Sequence, residues 1–183
     1  MLQATCGEIP QLHVLCLAPA ANSACEIRVS KNLRGKFMSI STIYFDQVNV
    51  QLKTGIDIVD ISHELQRLIK KSKIVNGTLN ATVVGSTGSV TTIEFEPGVV
   101  EDLIRAINRI APPDLEYEHE KAWHDGNGHS HVQAALLGPS IALPVRNGRL
   151  TTGTWQQVVV INHDNKGRRR KVEVTIIGSA KDG

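Results

Sequence analysis

Thiols are missing from most of this chain: its three cysteines are Cys6, Cys16 and Cys25, and residues 38–183 contain none. That stretch therefore holds no cysteine nucleophile, no cysteine-ligated zinc and no structural disulfide. An odd count at loose spacing is not a secreted disulfide framework either, so a reducing cytosol is the expected compartment. Aromatic residues amount to only 4%. Packing must then come from Val, Ile and Leu, which suit sheet faces, and stacking platforms for single-stranded nucleic acid are nearly absent. Lys and Arg number 20 against 18 Asp and Glu, a formal charge of +2, so no basic field points to nucleic acid. No apolar run approaches the roughly 18 residues of a membrane-spanning helix. Chemistry has to come from histidines, carboxylates, hydroxyls, amides and arginines.

What is present suits one domain: 183 residues with 41% hydrophobic composition supply a single core. Leu12 to Ala21 is apolar and Asn22-Ser-Ala-Cys25 resembles a lipoprotein cleavage box. No Lys or Arg precedes it, whereas Glu8 does, which argues against a signal peptide. Residues 1–37 are read as an N-terminal extension outside the fold, and 38–183 as the domain, opened by Met38.

From there the two periodicities alternate. Ser39 to Leu52 reads as a strand rich in β-branched and aromatic residues. Asp57 stands as an N-cap before Ile58, Ile61, Leu65, Leu68 and Ile69 at helical spacing, with Lys70, Lys71 and Lys73 at the C-terminal end. Thr78–Val84 and Ser89–Phe95 read as strands joined through Gly85-Ser-Thr-Gly88. Pro97-Gly98 opens a second helix with Val100, Leu103, Ile104 and Ile107 on one face, stopped by Pro112-Pro113. Ser130 is placed to cap a short helix over 131–137, closed by Gly138-Pro139. Strands follow at 141–145, 150–152, 156–162 and 171–177, the last two expected as a hairpin through Asp164-Asn-Lys-Gly167. About seven strands and three helices with frequent hairpins give an α+β domain with a mostly antiparallel sheet.

One segment concentrates chemistry. Four of the seven histidines, His119, His124, His129 and His131, lie between Tyr117 and His131, and histidine is a metal ligand and proton carrier near neutral pH. The spacing is not the His-Glu-x-x-His of zinc proteases. His131, near a helix N-terminus, would sit beside free N–H groups that attract anions. Gly85-Ser86-Thr87 offers a small hydroxylated cradle without the Lys of a P-loop. Glu94, at a strand end, would complete a coordination set, and Arg168 and Arg170 share one strand face that suits phosphate.

Taken in order, Tyr117-x-His119, Asn127-x-x-x-His131, Ala135-Leu-Leu-Gly138-Pro-Ser140, Pro144, Gly148-Arg-Leu150, Gly153-Thr-Trp-Gln156 and Arg168-Arg-Arg170 resemble the YjbQ family across residues 38–183. The resemblance implies a layered α+β domain, generally a homotrimer, with a secondary thiamine-phosphate synthase activity that joins a pyrimidine pyrophosphate to a thiazole phosphate. It implies His131, Asn127 and Glu94 as catalytic groups. His119, His131 and Glu94 would hold a divalent metal, Mg or Zn, and Arg168, Arg170 and Gln156 would bind the phosphorylated substrate. Many members carry His-Thr-Thr-Ala where this chain has Gly85-Ser86-Thr87-Gly88, so one histidine of the usual site is absent, and His124 or His129 would have to compensate. The alternatives are a noncatalytic trimeric protein that binds metal or a phosphorylated ligand, and a metal-dependent phosphoester hydrolase. No nucleic acid and no membrane are expected as partners.

Overall fold

The computed structural model describes residues 41–180. The proposed extension over 1–37 and the opening at Met38 lie outside them. Along the chain the elements are β1 (Ser41–Leu52), β2 (Asp57–Asp60), α1 (Ser62–Ser72), β3 (Ile74–Val83), β4 (Gly88–Ile93), α2 (Pro97–Ile110), α3 (Glu120–Trp123), α4 (Gly128–Leu137), β5 (Ser140–Arg146), β6 (Arg149–Leu150), β7 (Gln157–Asn162) and β8 (Arg168–Ala180). The strands make a five-stranded sheet, β1-β8-β3-β5-β6, and a three-stranded sheet, β2-β7-β4. Every pairing among the described residues is antiparallel, and the class is α+β as expected.

β7 organises the interior. Its run Val158-Val-Val-Ile161 is fully buried, and period-two alternation sends it both ways. Val158 and Val160 join the main core with Leu65, Leu68 and Ile69 of α1 and the inner face of the large sheet. Val159 and Ile161 meet Val100, Leu103 and Ile104 of α2. An apolar run covered on both faces is what a buried central strand requires.

Two connections cross between the sheets, and the second replaces the hairpin expected between the last two strands. β3 belongs to the large sheet and β4 to the small one, and β7 and β8 are divided the same way. Gly85–Thr87 and His163–Gly167 therefore cross from one sheet to the other at the same end of the molecule. Turn residues mark a reversal of the chain, but the pairing partner is chosen by burial. α1 also starts later than Asp57. Residues 57–60 pair with β7 instead, the Asp57 carboxylate accepts the Lys53 N–H at 2.7 Å and Asp60 accepts the Ser62 N–H at 2.8 Å. Ile58 and Ile61 fell on the helical spacing by coincidence. α2 is capped by Glu96, whose carboxylate accepts the N–H groups of Gly98 and Val99.

Candidate functional site

At the end of β7 the chain changes from apolar to polar without leaving the interior: Asn162, His163 and Asp164 are 0%, 0% and 2% exposed. Such burial requires partners for each polar atom. Gln133 of α4 donates through Nε2 to the Ala111 carbonyl at 2.8 Å and to Asn108 Oδ1 at 3.2 Å, which fixes its amide. Its Oε1 faces His163 Nδ1 at 3.3 Å. An amide oxygen only accepts, so the network assigns the His163 proton to Nδ1. Nε2 is then free to accept from the Ser89 hydroxyl at 2.8 Å. Burial, helped by the charges of Arg170 and His129, pushes the His163 pKa down to about 4, so the ring is neutral at pH 7. Ser130 donates to the His163 carbonyl at 2.6 Å. Strand end and helix are thus tied together from behind.

Asp164 organises two guanidinium groups. It accepts from Thr87 Oγ1 at 2.8 Å, from the Lys166 N–H at 3.0 Å, and from Arg168 in a fork, Nε at 2.9 Å and Nη2 at 3.2 Å. Burial works against its charge, yet the bonds from Arg168 and Thr87 outweigh that and hold its pKa below the usual carboxylate range. Arg170, only 6% exposed, donates to Asn162 Oδ1 and to the carbonyl and hydroxyl of Thr87. Desolvation lowers its pKa, but a guanidinium remains cationic. Nη1 of each arginine takes no part in these bonds. At Gly85 the backbone adopts φ +125°, and a Cβ there would lie 2.8 Å from Arg170 Nη1, so the glycine leaves that guanidinium edge open.

The third wall is the histidine-rich segment. α4 begins at Gly128, three residues before the expected start, and Ser130 is turned inward instead of capping it. The N–H groups of Gly126 and Gly128 are taken by the Glu120 carboxylate at 2.7 and 2.9 Å. Those bonds lower its pKa. The anion at this helix start is therefore Glu120, not a ligand beside His131. His119 Nε2 is the one buried side-chain polar atom without a hydrogen-bond partner among the described residues. It lies 3.5 Å from Asp125 Oδ1, and its ring is 4.6 Å from that of His131. His119, Glu120 and Asp125 bring one donor atom each within 4.8 Å of one another.

These walls enclose an open pocket of about 340 Å³, lined by Gly85, Ser86, Thr87, Asp125, Asn127, His131, Asp164, Arg168 and Arg170. Of the residues singled out from sequence, His131, Asn127, Arg168 and Arg170 come together here, with His119 against His131. Glu94 does not. It is exposed beyond the end of β4, its strand points away from the histidines, and it belongs neither to the pocket lining nor to the His–carboxylate group. Gln156 is also elsewhere: it donates to Thr92 Oγ1 and accepts from the Gly153 N–H, both at 3.0 Å, and so holds its own loop. His124 is exposed, and His129 packs behind the pocket near Tyr117, so neither replaces a missing histidine. Sequence reading missed His163, Asp164 and Ser130. The available signal was Asn-His-Asp directly following a four-residue apolar run.

A small two-sheet α+β domain with an arginine- and histidine-lined pocket at the end where its sheets exchange strands is the class that fold and site define. A family model described as UPF0047 protein YjbQ-like matches residues 46–179. The chain belongs to that family. A UPF0047 protein of Methanothermobacter thermautotrophicus is 30% identical over 144 residues, 79% of this chain and 96% of that one. A crystal structure of a YbjQ-like protein of unknown function from Sulfolobus solfataricus superposes with a TM-score of 0.73 at 32% identity, covering 76% of this chain and 99% of that one. A hypothetical protein of Aeropyrum pernix gives 0.68 at 27% identity over 74% and 98%. The expectation of thiamine-phosphate synthase activity is corrected by these findings. The family carries only a UPF0047 description, a solved relative is described as of unknown function, and Glu94, assigned to that reaction, stands outside the pocket. Among the described residues no helix is long and apolar enough to cross a membrane.

Proposed function

We propose that the pocket binds a small phosphorylated ligand, with a divalent cation held beside it. The observation that carries this reading is the pair of arginines in the pocket lining, each with Nε and Nη2 fixed by Asp164, Asn162 or Thr87 and with Nη1 outside those bonds. Rigid guanidinium donors match phosphate geometry at little entropic cost. Asp164 and Asp125 balance the two arginine charges within the lining, so a bound cation would supply the positive excess that an anion needs. The cation would take His119 Nε2 and Asp125, with Glu120 and His131 adjacent. An imidazole and carboxylate set suits Zn²⁺, and the carboxylates alone suit Mg²⁺. A bound cation would neutralise phosphate charge next to the arginines.

Calorimetric titration with ribose 5-phosphate, with and without Zn²⁺ or Mg²⁺, tests the reading. The parent binds, and Arg168→Gln weakens binding by about 10- to 100-fold, the scale of one charged hydrogen-bonding group. His119→Ala abolishes the cation dependence only. An Arg168→Gln protein that binds as tightly as the parent would exclude the pocket. We place the protein in the cytosol as a homotrimer. The support for association is the outer face of α4, where Val132 and Leu136 are 41% and 62% exposed.

A further inference from the structure

Trp123 is 72% exposed, the costliest exposure in the segment that forms the pocket wall, and the phosphate reading does not use it. It is held in place by its surroundings. α3 is a single turn closed by His124 at φ 50°, and the loop beyond is pinned by Glu120 through the Gly126 and Gly128 N–H groups. The indole lies nearly parallel to the His119 imidazole, 21° between planes and 6.4 Å between centroids. The His119 ring in turn contacts that of His131 at 4.6 Å, and His131 lines the pocket. The rings of Trp123, His119 and His131 therefore follow one another from the surface to the pocket lining, with His131 tilted by 46° against His119. An indole face takes a flat π-system in offset stacking.

We propose that the ligand carries a planar heterocyclic base stacked on Trp123 while its phosphate meets Arg168 and Arg170, so that a nucleoside 5′-monophosphate is the class of ligand the site takes. This rests on the phosphate reading above and adds the base. Stacking on an exposed aromatic platform is sequence-tolerant and strengthens binding by roughly tenfold or more per base.

The test uses the full chain with Trp155→Phe, which leaves Trp123 as the only tryptophan. AMP, ribose 5-phosphate and adenosine are titrated by calorimetry and by tryptophan fluorescence. AMP should bind at least about tenfold tighter than ribose 5-phosphate and quench Trp123. In calorimetry on the otherwise unchanged chain, Trp123→Ala should bring AMP down to the level of ribose 5-phosphate without changing the latter, and Trp123→Phe should keep most of the preference. Arg168→Gln should weaken both phosphates alike. Equal binding of AMP and ribose 5-phosphate by the parent overturns the stacking and leaves the phosphate site intact. Binding of neither overturns the phosphate reading and this one with it. A Trp123→Ala variant that changes molecular mass on light scattering, with the AMP preference retained, makes Trp123 a subunit contact and overturns the proposal.

Discussion

α1 and α4 have almost the same length, 11 and 10 residues, and opposite patterns. α1 buries Leu65, Leu68 and Ile69 and turns Lys70 and Lys71 to solvent. α4 buries Gly128, His129, Ser130, Gln133 and Ala134 and turns Val132, Ala135 and Leu136 outward. The first is what burial of apolar area produces in any amphipathic helix. The second spends its inward face on hydrogen bonds to His163 and Ala111, each with a small net contribution to stability and a large penalty if left unpaired. A helix with polar groups inside is fixed in position more than it is stabilised, and α4 carries Asn127 and His131 to the pocket. Stability and site construction are thus divided between two helices of one core.

The largest effect should come from α1. Leu68→Ala removes a fully buried side chain and should cost about 2–5 kcal/mol, read as a lower urea midpoint, with ligand affinity of the folded protein unchanged. Loss of affinity in proportion to stability would erase the division between the helices. The α4 network should show instead as pH dependence. Burial lowers the pKa of His163 from 6.5 to about 4, so the unfolded chain binds the proton more readily than the native one. Its stabilising effect is full above pH 6.5 and is lost as pH falls toward 4. At ~1.36 kcal/mol per tenfold change in proton affinity the loss is about 3 kcal/mol. Burial shifts His129 in the same direction. The carboxylates titrate in part of this range in every variant, so the measurement is the difference between the parent and His163→Asn across pH 7 to 4. The variant should show the shallower slope, whereas parallel slopes would remove His163 from the account.

The same contrast explains what the sequence made legible. α1, α2 and the strands followed from periodicity because their inward residues are apolar, although Ile58 and Ile61 lengthened α1 wrongly where strand pairing competed. α4 was placed three residues late because its first inward residues, Gly128, His129 and Ser130, carry no apolar signal. Arg168 and Arg170 were read from strand alternation, and Gly85-Ser86-Thr87 from composition. Asp164 was read only as a turn former, since nothing local shows that β7 and β8 enter different sheets and leave it buried between two arginines. Glu94 was misplaced for the reverse reason: an acid at a strand end is common, and only the three-dimensional path shows that it leads away from the histidines. Local rules located the elements, while long-range pairing decided which polar residues meet.

The smallest energetic effect, and the sharpest test of the outward face of α4, should come from Leu136→Lys. A substitution at an exposed position changes monomer stability by no more than about 0.5 kcal/mol, and Leu136 touches neither the pocket lining nor the His163 network. If the apolar outer face is a subunit contact, a buried lysine would leave its charge without a partner there. The mass measured by light scattering should fall from trimer to monomer while the pH 7 urea midpoint of the dissociated protein stays near that of a parent diluted to dissociation. A parent that is already a monomer, or a variant that remains a trimer, would remove self-association as the reason for the inverted pattern. The polar inner face would then be explained by the pocket alone, and the apolar outer face would need a different partner.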